Sequence, residues 1–102
     1  MSIKKKILKN NQTCKVTFEV PKEIGKKAKT IHVVGDFNNW DRSASPMKAT
    51  KEGKFSTTID LQTGKEYQFR YLVNEDQWEN DTEADRQEPT IYRDSYNSVL
   101  SL

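Results

Sequence analysis

The dominant hydrophobic period along the chain is two. "TCKVTFEV" (13–20) sets Cys14, Val16, Phe18 and Val20 against Lys15, Thr17 and Glu19. "GKFSTTIDL" (53–61) repeats the alternation with Phe55, Thr57, Ile59 and Leu61. "KEYQFRYLV" (65–73) sends Tyr67, Phe69, Tyr71 and Val73 to one side and Gln68, Arg70 and Leu72 to the other. Successive side chains of a strand leave opposite faces, so this alternation predicts half-buried strands of an antiparallel sheet. "TIHVV" (30–34) and "YNSVLSL" (96–102) are shorter β-branched or apolar runs that predict two more strands. No segment carries a convincing 3.6-residue apolar stripe.

Turn chemistry separates these runs. "PKEIGKKAK" joins the first to the second, and "GDFNNWDRSASPM" follows the second. "LQTGK" predicts a hairpin with Gly64 at positive φ, and "NEDQ" predicts another tight connection. "DTEADRQEPTIYRD" reads as a long polar loop with one helical turn in "TEAD". About seven short strands with regularly spaced turns predict an all-β, immunoglobulin-like antiparallel sandwich. With neither an internal repeat nor a linker, the chain divides into a loose basic segment over 1–12 and a single domain over 13–102.

Composition limits the core. The 102 residues are 33% hydrophobic and 31% charged, enough for one thin core. Four Phe, four Tyr and two Trp must supply much of the buried area, at roughly 25 cal/mol per Å² removed from water. A tryptophan placed at the surface is therefore expensive for this protein.

The net charge is +2, but residues 1–30 hold nine Lys against Glu19 and Glu23, and residues 75–94 hold eight acids against Arg86 and Arg93. Solubility and attraction between distant segments account for this pattern. "KKKILK" lacks the arginines and interleaved aromatics that reading or stacking on bases uses, so a nucleic-acid partner is not expected. Cys14 is the only cysteine, which rules out an intramolecular disulfide or a cysteine-based zinc site and suits a reducing compartment. The basic N-terminus is followed by no apolar run, and no stretch reaches the roughly 20 apolar residues of a membrane span. A cytoplasmic location, with no membrane partner, is the expectation.

Catalytic chemistry is sparse. His32 is the only histidine and lies in a predicted strand. A Ser–His–Asp set would need that strand to bring a serine and a carboxylate beside it. There is no glycine-rich phosphate loop. "DTEAD" spaces acids like a calcium loop but lacks its glycine and its terminal glutamate. Paired carboxylates of the glycosidase kind need a cleft that so short a chain has little room to build. No enzyme activity, metal or cofactor is expected.

Both tryptophans, Trp40 in "FNNWDR" and Trp78 in "NEDQWEND", sit among polar turn residues. Core packing is one explanation, since Trp is buried on average. The other is a flat exposed platform: one face of a sugar ring presents C–H groups that stack on an indole, while its hydroxyls need donors and acceptors at the rim. Arg70 faces outward on its strand and is placed to reach such a rim.

The order "VVGDFNNWDR…PMKAT…GKFSTTIDL…GKEYQFRYLVNEDQWEND…YNSVLSL" resembles the early-set, isoamylase N-terminal domain family over nearly all of Thr13 to Leu102. That family includes the glycogen-binding module of the AMP-activated protein kinase beta subunit and N-terminal domains of glycogen branching and debranching enzymes. The chain is also similar to its small stand-alone bacterial members. The resemblance implies a carbohydrate-binding β-sandwich that takes α-1,4-glucan (glycogen, starch or maltooligosaccharide) without an active site. It implies a glucan-metabolising enzyme as a protein partner. Position by position it implies two flanking tryptophans, Trp40 and Trp78, a basic residue between them at Arg70, and Asn97 on the last strand. Ser95 stands where the family has a threonine. The turn before Trp78 is "NED", one residue longer than the family's Asp-Gly, and Tyr92 or Arg93 occupies the region of its apolar leucine. A stand-alone protein-interaction or self-association module with the same fold and no sugar affinity is the alternative.

Overall fold

Two antiparallel sheets face each other in a computed structural model that describes residues 2–8, 12–91 and 95–102. The first sheet contains β1 (Ser2–Ile7), β2 (Thr13–Val20), β5 (Phe55–Gln62) and β4 (Lys48–Ala49), in that order. The second is ordered β3 (Ile31–Gly35), β6 (Glu66–Val73), β9 (Tyr96–Ser101) and β8 (Arg86–Pro89). A three-residue strand, β7 (Gln77–Glu79), pairs with the far half of β6. The protein is thus an all-β sandwich, with nine strands among the described residues where the sequence pattern predicts about seven.

The alternation of β2 and β6 builds the core. Cys14, Val16, Phe18 and Val20 are buried, as are Phe69, Tyr71 and Val73. Phe18 bridges the sheets, with its ring centroid 5.2 Å from Phe69 and 6.4 Å from Tyr71, both edge-on. Edge-to-face pairs place a positive ring edge on a negative face and add to burial alone. The outer face of β6 also buries a side chain: Leu72 is only 1% exposed. It lies directly across the ladder from Trp78 on one side and His32 on the other.

Three connections differ from the pattern's forecast. "LQTGK" does carry Gly64 at φ 78, but it is not a hairpin. β5 and β6 belong to different sheets, so it crosses the sandwich, with Gly64 N–H donating to Leu102 O at 3.0 Å. "PKEIGKKAK" contains one helical turn, α1 (Lys22–Gly25). "TEAD" is a turn without helix, and "RQEP" after it is β8. Short, polar and ending in proline, β8 has the composition of an edge strand, which period-two hydrophobicity cannot reveal.

The basic segment contributes a strand to the first sheet. β1 pairs with β2 from Ser2↔Glu19 to Ile7↔Cys14. Lys5 Nζ donates to Asp85 Oδ2 at 2.8 Å and to Ser101 O at 3.0 Å. One ion pair thus joins the basic N-terminus to the acidic stretch and ties the edge of one sheet to the other. Asp81, expected in a solvated acidic loop, is instead fully buried. Its carboxylate accepts Tyr71 O–H at 2.7 Å and Glu83 N–H at 2.9 Å. Burial, with the Asp81 charge close by, pushes the Tyr71 hydroxyl far above its ordinary pKa.

Candidate functional site

The outer face of the second sheet carries the site. Along β6, Arg70 and Leu72 point away from the core. Arg70 lies one step beyond the last β6–β9 ladder pair, Phe69↔Ser98, which brings Asn97 alongside it. Arg70 Nε donates to Asn97 Oδ1 at 2.6 Å, and Nη2 donates to Ser95 Oγ. Asn97 Nδ2 passes the chain on to Gln68 Oε1 at 2.8 Å. This network aligns the guanidinium plane and orients the Asn97 amide. Partial burial pulls the Arg70 pKa below its ordinary value, yet an arginine remains charged at any physiological pH. Two bonds leave most of its five N–H donors directed elsewhere.

Trp40 is delivered by the loop after β3. Gly35 has to be glycine: a Cβ there would meet Gln68 O at 2.4 Å and Phe69 Cβ at 2.7 Å. The chain then makes a 3-10 turn over Asp36–Asn38, and Asn39 and Trp40 both adopt φ 57. Asparagine tolerates that left-handed region; a bulky tryptophan does so at a cost of about 1–2 kcal/mol. The Asn38 side chain makes three of the bonds that hold the loop. Asn38 Oδ1 accepts Gly35 N–H at 3.0 Å, while Nδ2 donates to Val33 O at 2.9 Å and Ser45 Oγ at 3.1 Å. The Trp40 indole N–H donates to Asp36 Oδ1 at 2.9 Å. The two asparagines of "FNNW" are therefore turn-makers, and the turn turns the indole away from the core.

Trp78 arrives on β7 after the "NED" turn. Asn74 (φ 52) and Glu75 (φ 67) both take positive φ, as the two central residues of a hairpin turn of the favoured hand do. Asn74 Oδ1 accepts Lys29 N–H at 2.6 Å and so anchors the turn to the chain before β3. The longer turn keeps Trp78 on the outer face opposite Leu72. The Arg42 guanidinium carbon lies 5.5 Å from the Trp78 ring centroid.

Trp40, Arg70, Trp78, Ser95 and Asn97 line one open hollow of about 490 Å³, together with Thr90. The structure brings all five residues singled out in the sequence to one place. Tyr92 and Arg93 lie outside the described residues. Sequence reasoning missed Thr90, Asp36 and Arg42. Asp36 had a local signal, four residues before Trp40. Arg42 had none, because its ring partner is far along the chain.

A family model described as the glycogen recognition site of AMP-activated protein kinase matches residues 7–100. The chain belongs to this family. The family is one of carbohydrate-binding, glycogen-recognition modules. No curated protein matches the chain.

His32, Ser43 and Glu75 line a second hollow of about 270 Å³ with Arg42 and Leu72. A serine, a histidine and a carboxylate thus do meet, but not as a relay. Ser43 Oγ donates to Asp41 Oδ1 at 2.8 Å, and His32 Nδ1 is buried with no hydrogen-bond partner among the described residues. Among the described residues, no helix is long and apolar enough to cross a membrane.

Proposed function

We propose that the hollow between Trp40 and Trp78 binds α-1,4-glucan, with glycogen or a maltooligosaccharide as ligand, and performs no chemistry on it. The observation that carries this reading is the shared hollow itself: two indoles at its walls and the hydrogen-bonded Arg70–Asn97–Ser95 set between them. Glucose units stack their C–H faces on the indoles. The Arg70 guanidinium donates to sugar hydroxyls in a fork, and Asn97 and Ser95 add both donors and acceptors.

Such a shallow site buries little of the ligand, so affinity falls in the range of about 10 µM to 1 mM. Weak single-site binding suits a polymer, where many equivalent chain ends raise the effective concentration. A glucan-metabolising enzyme is the protein partner this role calls for, in the compartment that stores the polymer, the cytoplasm. Self-association by edge-strand pairing is disfavoured by Lys4, Lys5 and Lys6 along β1, since charged edges resist addition of another strand.

Electrophoresis through a native gel cast with glycogen tests the reading. Wild-type protein is retarded relative to a sugar-free gel, and Arg70→Ala migrates at the sugar-free position. Equal migration of wild type with and without glycogen contradicts it.

A further inference from the structure

We infer that Arg42 is a positioning residue for the glucan site, holding Trp78 in its working orientation from behind. This rests on the glucan reading above. Trp78 stands on a three-residue strand at the margin of the sheet, after a turn with two consecutive positive-φ residues. Its backbone support is slight. What fixes an indole in such a place is contact on its faces. The first hollow occupies one side of Trp78. The Arg42 guanidinium carbon lies over the ring, 5.5 Å from its centroid, and Arg42 also lines the second hollow while Trp78 does not. The Trp78–Arg42 pair therefore joins the two hollows, with Trp78 lining the first and Arg42 the second.

The same loop serves both aromatic walls. It sets Trp40 through Asp36 and Trp78 through Arg42, six residues later in sequence. Asp41 stabilises the stretch around Arg42 by accepting Ser43 N–H and Ser43 O–H, at 2.9 and 2.8 Å. Those two bonds, the backbone one foremost, also hold the Asp41 carboxyl below its ordinary pKa. Among the described residues Arg42 forms no ion pair with a carboxylate, and its charge lies over the indole face, where a guanidinium is attracted by the ring quadrupole.

The test has a ligand-free and a ligand-bound arm. In a Trp40→Phe background, Trp78 is the sole tryptophan, and acrylamide quenching reads the exposure of its ring. Arg42→Ala in that background should raise the quenching constant. With Trp40 present, Arg42→Ala should weaken maltoheptaose binding by about three- to tenfold, the scale of one cation–π contact. Arg42→Lys keeps a cation on a long stem and should restore most of both. Unchanged quenching overturns the inference even if binding weakens, because Arg42 would then act on the sugar and not through the ring. Changed quenching with unchanged affinity overturns it as well. Failure of the wild type to bind maltoheptaose is a different result, and it removes the glucan reading itself.

Discussion

Trp40 and Asp36 form a closed unit on the surface of the second sheet. The indole N–H donates to Asp36 Oδ1 at 2.9 Å, and Asp36 Oδ2 accepts the backbone N–H of Gln68 at 2.8 Å. One carboxylate thus ties the ring to the strand that carries Arg70. Replacing Asp36 by Ala should cost about 1–2 kcal/mol in urea unfolding, as expected for charge-assisted hydrogen bonds. It should also weaken glucan binding more than that stability loss alone explains, because Trp40 loses its fixed orientation. Calorimetric titration at a temperature where the variant is fully folded separates the two effects.

Gly35 lets the loop begin where it does. An added Cβ collides with the backbone carbonyl of Gln68 and with Phe69 Cβ, neither of which can swing aside. Gly35→Ala should lose about 2–3 kcal/mol, the upper range for overpacking a filled interior. The midpoint of urea unfolding measures it.

Glu75 stores strain of the opposite, removable kind. At φ 67 a glutamate pays for a conformation that glycine adopts freely. Glu75→Gly should therefore stabilise the protein by about 0.5–1 kcal/mol, the penalty relieved exceeding the extra chain entropy lost. A rise in melting temperature with glucan affinity unchanged is the expected readout.

The buried Asp81 depends on Tyr71. Removing the hydroxyl with Tyr71→Phe leaves the carboxylate with one donor fewer inside the protein. A loss of about 1–3 kcal/mol follows from the desolvation penalty of an unpaired buried group. Thermal unfolding of the variant checks it.

The Lys5–Asp85 ion pair governs the edge strand β1. Burial pushes the Asp85 carboxyl up, but the Lys5 hydrogen bond, the Ser101 N–H and the nearby cations outweigh it and leave the pKa below its ordinary 3.8. A depressed carboxyl contributes stability above the unfolded-state pKa and loses it as the pH falls through the lower folded value. Because the pair is partly solvated, Lys5→Met should cost less than about 1 kcal/mol. The difference from wild type should be present at pH 7 and vanish well below pH 3.8. Hydrogen exchange should report it first in the β1 amides.

Period-two alternation made β2, β5 and β6 legible, along with the inward set Phe18, Phe69 and Tyr71, because strand geometry writes itself into local sequence. It also put Arg70 on the outer face. What it could not show was pairing at long range. Whether "LQTGK" turns back or crosses between sheets depends on which strands neighbour β5 and β6, and nothing local encodes that. Leu72 looked exposed by alternation and is buried because Trp78 lies opposite it. β8 was hidden by its polarity, and Lys5 by having its partner 80 positions away. Trp40 and Trp78 stood out as indoles among polar turn residues and Arg70 by its outward position, whereas Asn97 and Ser95 came only from the family resemblance. Asp36 and Arg42, which hold the two indoles, lie in or beside "GDFNNW", but only the fold reveals what they touch.

In the proposed binding mode Trp40 and Trp78 together stack on one glucan chain. Intrinsic tryptophan fluorescence, titrated with maltoheptaose on wild type, Trp40→Ala and Trp78→Ala, tests it most directly. A saturable change in wild type that each single substitution abolishes, with circular dichroism unchanged, is the predicted result. Undiminished binding by either folded variant, or no change in wild type at millimolar sugar, would contradict it.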